Sequence, residues 1–203
     1  MTITQLLEQR ISCNYFDPTH TLDAAQISEL IRLATLAPSA YNGQNWRFIA
    51  VQSPEGKQQV LQHAYGQQKV ADAAVCFIVC GRLDLHTQLA QNLAPSLAAG
   101  IMSAELVANM VHYATEAFGN QPQNQRDEAI RSASLSAMSL ILAAQGMGLA
   151  SCPMTGFDAA GVAQTFGLSN DEIPVMLIPV GRAAEQNWPQ KPRRAVADVL
   201  EVV

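Results

Sequence analysis

Two stretches of the chain are apolar at every position: Ala74–Cys80 (AVCFIVC) and Val175–Val180 (VMLIPV). Continuous apolar runs of that length mark strands buried on both faces, and hence a sheet covered by helices. Trp46–Val51 (WRFIAV) reads as a further strand. Elsewhere the pattern turns helical. In Ala24–Leu36, Ile27, Leu30, Ile31 and Ala34 fall on one face, with Asp23 as N-cap and Pro38 as the stop. Ser53-Pro54-Glu55 opens another helix, with Ser53 as cap and Pro54 in the first turn, that ends near Gly66. Thr2–Arg10 and Asp158–Phe166 read as short helices, and Leu85–Phe118 as mostly helical with a break near Pro95. Arg126–Gln145 is a long helix closed by Gly146-Met147-Gly148. Its alanines and serines allow close backbone approach, which places it in the core or against a second copy of the chain. The pattern predicts long helices around a small sheet, in one domain spanning residues 1–203, and leaves the strand order open.

Composition sharpens this picture. Hydrophobic residues make up 49% of the 203 positions and charged residues only 14%. A chain that carries so little charge often covers additional surface in a subunit contact. The tail Lys191–Val203, basic first and apolar last, also calls for a cover. A formal net charge of -5 argues against sustained binding to nucleic acid or an anionic membrane, although a local basic cluster can still hold one phosphate. The first ten residues lack an apolar signal core, and the most apolar long stretch, Ala129–Leu149, is interrupted by Arg131, several serines and Gln145. Cys13, Cys76, Cys80 and Cys152 are read as free thiols in a reducing, cytoplasmic setting. Cys76 and Cys80 have no histidine at ligand spacing, so no metal site is expected. Gly146-Met147-Gly148 lacks a third glycine and follows a helix, unlike a dinucleotide-binding turn.

Four stretches carry the polar chemistry: Arg10-Ile11-Ser12-Cys13-Asn14-Tyr15-Phe16; residues 37–48, which include Pro38, Ser39, Asn42, Gly43 and Gln44; Gly148 to Asp158; and Pro179-Val180-Gly181-Arg182 followed by Lys191-Pro192-Arg193-Arg194. A phosphorylated ligand needs two or three cations with hydroxyl or amide donors. Arg10, Lys191 and Arg193, with Ser12, are candidates; the same charges also read as solvated surface. Pro38 breaks a helix and Gly43 permits an irregular turn, so Ser39, Asn42 and Gln44 can face a flat ligand edge or simply bond within the turn. Pro153 and Gly156 suit a backbone passing close to a planar ring, or a tight connection between helix and strand. Cys152 has no neighbouring base in sequence and reads as an inert thiol.

In order and spacing these stretches resemble the nitroreductase family of flavoenzymes, and the resemblance runs from Leu6 to Val199. It implies an α+β fold with a small mixed, mainly antiparallel sheet flanked by helices, an intertwined homodimer and bound FMN. Arg10, Ser12, Lys191 and Arg193 would meet the phosphate and ribityl end. Pro38, Ser39, Asn42 and Gln44 would line the flavin of the other subunit. Pro153, Met154, Thr155 and Gly156 would run along the ring, with the N–H groups of Thr155 and Gly156 toward N5 and O4. Lys69, with Gln67 beside it, matches a basic position near N1. Asn14 stands where many members carry Lys or Arg, which implies altered redox tuning; Asn45 stands where proline is usual, which implies a looser loop.

The implied activity is that of an FMN-dependent oxidoreductase with ping-pong kinetics. NADH or NADPH is the transient co-substrate, flavin N5 carries the hydride with no catalytic side chain, and the acceptor is a nitroaromatic, quinone or similar conjugated molecule. The same fold also serves dehalogenases and enoate-type reductases, which differ in a variable helical region, here Asp84–Asn124. There Tyr113 and Phe118 either form a lid or pack between helices. A non-catalytic flavin-binding protein is the third reading, kept open by Asn14.

Overall fold

The computed structural model describes residues 2–203. The chain opens with α1 (Ile3–Gln9), where Thr2 accepts the Gln5 N–H and the Gln5 side chain accepts the Thr2 N–H. The same reciprocal cap, Asp23 with Gln26, starts α2 (Ala24–Ala34). Then follow β1 (Trp46–Val51), α3 (Pro54–His63), α4 (Lys69–Asp72), β2 (Val75–Arg82), α5 (Leu85–Ala98) and α6 (Ala104–Phe118). Last come α7 (Pro122–Gly146), β3 (Ala150–Ser151), α8 (Ala159–Thr165) and β4 (Glu172–Gly181).

The strands form one sheet in the order β1-β2-β4-β3, and every neighbouring pair is antiparallel. The parallel component expected of a mixed sheet is reduced to a single bridge between Ser12 and Ser151. Side chains of β2 alternate between the two faces, as the two-residue strand period requires. Phe77 and Val79 pack with Leu30 of α2 and Ala133, Ala137 and Leu140 of α7. Cys76, Ile78 and Cys80 pack with Val60 of α3, Val70 of α4 and Val162 of α8. A third, smaller cluster joins α5 to α6 through Leu85, Leu89, Leu93 and Ala114.

The small residues of α7 fulfil the sequence expectation. Ala129, Ser132, Ala133, Ser136, Ala137 and Ala144 are all buried, and the two serines are satisfied by Glu128 Oε1 and the Ala133 carbonyl. Contact is closest at Gly81 of β2, where an added Cβ would stand 2.6 Å from the Ala129 carbonyl oxygen. On its outer side α7 leaves Leu135 and Met138 exposed.

Several boundaries differ from the sequence reading. Pro95 does not break the helical region: it lies inside the last turn of α5, and its carbonyl still accepts the Ala99 N–H. The break comes after Ala98, at Gly100, whose φ is +69°. Helix α7 begins at Pro122 rather than Arg126, because proline at the first helical position costs no hydrogen bond. Among the described residues, no helix is long and apolar enough to cross a membrane.

Candidate cofactor site

The two ends of the chain are tied together beside β3. After α1 the backbone extends through Ser12, and Cys13 donates its N–H to the Ser151 carbonyl at 2.9 Å. Asn187 then clamps the returning tail. Its Oδ1 accepts the N–H groups of Asn14 (2.8 Å) and Tyr15 (3.1 Å), and its Nδ2 donates to the carbonyls of Tyr15 and Ala184. Gln190 Nε2 donates to the carbonyls of Leu7 and Arg10, both at 2.9 Å. These straps bring residues some 180 positions apart into one place.

They border an open cleft lined by Arg10, Ile11, Ser12, Asn14, Lys69, Cys152, Trp188, Pro189, Gln190, Lys191 and Arg193. Four of these side chains are cations and none is a carboxylate. Among the described residues, none of the four takes part in an ion pair. Arg193 donates to the Lys191 carbonyl at 2.5 Å, and the Lys191 ammonium lies 5.5 Å from the centre of the Trp188 ring. Lys69 donates to Asn14 Oδ1 at 3.0 Å and lies 3.6 Å from Cys152 Sγ. On a chain of net charge -5, four cations without an ion-pair partner in one cleft are the charge complement that an anionic group calls for.

Cys152 borders this cleft as a buried thiol. Burial pushes its thiol up, and the opposing pull of Lys69, Arg10 and Lys191 does not overcome it. Burial likewise carries Cys13 to about 11. No imidazole lines the cleft.

Residues 153–156 continue directly from Cys152. Met154 is paired with Leu177 through both backbone groups, while Thr155 and Gly156 are exposed. Among the described residues, neither the Thr155 nor the Gly156 N–H has a protein acceptor. Two free donors therefore stand next to the cationic cleft. Gln67 does not line it; its Nε2 donates to the carbonyls of Gly156 (2.9 Å) and Ala64 (3.1 Å), so it braces this loop from behind.

Residues 38–44 lie elsewhere. Tyr41, Asn42 and Gln44 have φ of 55°, 55° and 47°, in the left-handed region that side chains adopt at a cost. The Gln44 N–H bonds to Ser39 Oγ at 2.9 Å. Asn45 is buried and bonded to the sheet end. The Asn45 carbonyl accepts the Arg82 N–H, its side-chain Nδ2 donates to the Arg82 carbonyl at 3.2 Å, and Asn92 holds the Gly43 carbonyl at 2.6 Å. Phe118 meets Tyr41 edge-on, with ring centres 6.4 Å apart, so it packs; Tyr113 remains exposed.

Sheet register separates this loop from the cleft. Trp46, just after the loop, is opposite Gly81, whereas Ser151, next to the cleft, pairs with Val180, itself opposite Val75. The six residue steps along β2 from Val75 to Gly81 measure about 20 Å at the usual strand rise. Within one chain, then, the expected site residues fall into two groups. Arg10, Ser12, Asn14, Lys69, Lys191 and Arg193 line the cleft, with Gln67 and residues 153–156 beside it; Pro38, Ser39, Asn42 and Gln44 lie toward the opposite end of the sheet. Trp188, Gln190 and Asn187 escaped the sequence reading, for they sit in an aperiodic segment whose one visible signal is a tryptophan beside prolines.

A four-stranded antiparallel sheet under one long helix, with this cleft at the sheet end, is an architecture of the nitroreductase-like α+β class. The nitroreductase family model matches residues 7–182, and the chain belongs to that family. It is 32% identical over 200 residues to the Bacillus subtilis protein named "Putative NAD(P)H nitroreductase MhqN", covering 98% of this chain and 97% of that one. It is 25% identical over 203 residues to the oxygen-insensitive NADPH nitroreductase of Helicobacter pylori strain 26695, covering 97% and 94%. A solved Exiguobacterium sibiricum structure in complex with FMN superposes with a TM-score of 0.92 at 25% identity, covering 100% and 98% of the two chains.

Proposed function

We propose that this protein is an FMN-dependent oxidoreductase that takes a hydride from NADH or NADPH and passes it to a nitroaromatic, quinone or similar conjugated acceptor. The observation that carries this reading is the convergence of Arg10, Lys69, Lys191 and Arg193, none of them ion-paired, in one cleft of an acidic chain. The donor set fits FMN. A dianionic phosphate calls for guanidinium and ammonium groups with a hydroxyl donor, and Arg10, Lys191, Arg193 and Ser12 supply them. The free N–H groups of Thr155 and Gly156 suit the polar edge of a flat ring. FMN, when bound, supplies the redox chemistry, its N5 carrying the hydride.

The protein's own part is to bind, orient and tune. The cleft is lined by neither carboxylate nor imidazole, and because flavin N5 carries the hydride the proposed reaction requires no acid or base side chain, with solvent as the proton source. One cleft used in turn by nicotinamide and acceptor gives ping-pong kinetics. The Helicobacter and Bacillus relatives and the FMN-bound neighbour support the same assignment.

The working unit in this proposal is a homodimer. A loop about 20 Å from the cleft along the sheet reaches a ring only if Pro38, Ser39, Asn42 and Gln44 come from a second copy. Exposed apolar side chains offer the contact surface: Ile3 and Leu7 on α1, Leu135 and Met138 on α7, and Val199 and Leu200 in the tail.

The test is direct. Purified protein should take up FMN and turn yellow, bleach when NADH or NADPH is added without oxygen, and regain colour with menadione or a nitrofuran. A protein that does not retain FMN, or that retains it and is reduced by neither nicotinamide, overturns the assignment.

A further inference from the structure

Asn14 lines the cleft beside Lys69, and the structure gives its side chain a definite partner. Its Oδ1 accepts the Lys69 ammonium at 3.0 Å. Its Nδ2 donates to the Ser12 carbonyl at 3.2 Å, and its backbone N–H is held by Asn187 at 2.8 Å. Turning the amide over would set an NH2 against the ammonium and an oxygen against a carbonyl oxygen, so the bonding fixes its orientation. The other close neighbour of the Lys69 ammonium is Cys152 Sγ, at 3.6 Å. Neither neighbour is a carboxylate, and among the described residues Lys69 forms no ion pair.

The position of Lys69 differs from that of the other cations. Arg10, Lys191 and Arg193 belong to the strapped chain ends. Lys69 touches Cys152, immediately before the loop with the free N–H groups, and it follows Gln67, which braces Gly156. It is thus the cleft cation tied to that loop.

Resting on the FMN reading above, we propose that Asn14 is a positioning residue that holds Lys69 at the ring end of the cleft and thereby sets how strongly the site favours reduced over oxidised cofactor. A charged lysine or arginine at position 14 would face Lys69 and repel it; an amide oxygen attracts it and leaves its charge intact. Replacing Asn14 in this view weakens reduced FMN through Lys69, with little effect on the phosphate grip.

The experiment measures dissociation constants for oxidised and two-electron-reduced FMN in the wild type, Asn14→Asp, Asn14→Leu, Lys69→Met and the Asn14→Leu/Lys69→Met double variant. The ratio of the two constants gives the change in redox preference even where binding is weak. Asn14→Asp, which sets a carboxylate against Lys69, should cost the reduced form at least about tenfold, equivalent to about 30 mV for a two-electron couple. Asn14→Leu should shift the ratio in the same direction, and that shift should vanish in the Lys69→Met background. An unchanged ratio in Asn14→Asp, or an Asn14→Leu effect that persists without Lys69, overturns the proposal. A wild-type protein that fails to bind FMN instead overturns the functional reading on which it rests.

Discussion

If the cleft of one copy is completed by the 38–44 loop of another, two disabled chains should repair each other. One partner carries Arg193→Ala, which removes a cleft cation. Losing one charged hydrogen bond costs about 1.5–3 kcal/mol, or roughly 10- to 150-fold in FMN affinity. The other carries Ser39→Trp, which deletes the hydroxyl that accepts the Gln44 N–H at 2.9 Å and sets an indole where the ring edge is proposed to lie. Each homodimer has two damaged sites. In a mixed dimer both lesions fall on one site, and the other is wild type in every contributing residue. Co-expression with two different tags and tandem purification isolates the mixed form, in which about half of the sites are intact; random exchange without selection gives about a quarter. NADH-dependent menadione reduction at FMN concentrations limiting for the Arg193→Ala homodimer should recover about half of the wild-type rate per mixed dimer. A mixed dimer no more active than the average of its two parents refutes the shared site, as does a fully active wild-type monomer in sedimentation.

Three further outcomes test the frame around the site. Gly81→Ala should lower stability by about 1–3 kcal/mol, because its Cβ would meet the Ala129 backbone at 2.6 Å and α7 would have to lift off β2; an unshifted urea midpoint contradicts that contact. The four thiols should react only slowly with Ellman's reagent in the native protein at pH 8, since burial carries Cys76 and Cys80 to about 12 and Cys13 to about 11, and raises Cys152 as well. Because these folded values exceed the usual thiol value of 9.0, their stabilising effect is complete below that pH and is lost as pH climbs toward 12; a fast thiol at neutral pH, or a stability flat across that range, speaks against it. For Glu172, burial pushes the carboxyl up, but the Ser169 N–H and the Arg47 guanidinium at 2.9 Å outweigh it and hold the group below 4.5. Its contribution is present above that value and lost on acidification. Glu172→Gln should therefore cost about 1–3 kcal/mol at pH 7 and flatten the acid limb of the stability curve; an unchanged limb removes the ion pair from the account.

The gap between what the sequence disclosed and what required coordinates has a physical shape. Strand β2 and the second half of β4 were legible because burial on two faces leaves an apolar run that no local contact disguises, and the caps Asp23 and Ser53 were legible because they bond within three residues. Elements such as α4 and β3, four and two residues long, are too short to show any period. Pro95 misled, since the effect of proline depends on where in a helix it stands, and in the last turn of α5 it is tolerated.

At the site, Arg10, Ser12, Lys191 and Arg193 could be named as a set, but the agents that unite them could not. Gln190 and Asn187 act through backbone carbonyls and N–H groups at the far end of the chain, and such partners leave no trace in spacing. The same holds for Asn14 and Asn45. Judged by residue type alone, each looked like a loss, of a charge in one case and of stiffness in the other. In three dimensions each is an amide with a definite partner, Lys69 in one case and the Arg82 carbonyl in the other. The division of the expected site into two groups followed only from register. Once Trp46 is set opposite Gly81 and Ser151 opposite Val180, the 38–44 loop and the strapped chain ends stand toward opposite ends of the sheet. The proposal that a second copy supplies the 38–44 group therefore grows out of backbone pairing rather than out of any side chain the sequence could have advertised.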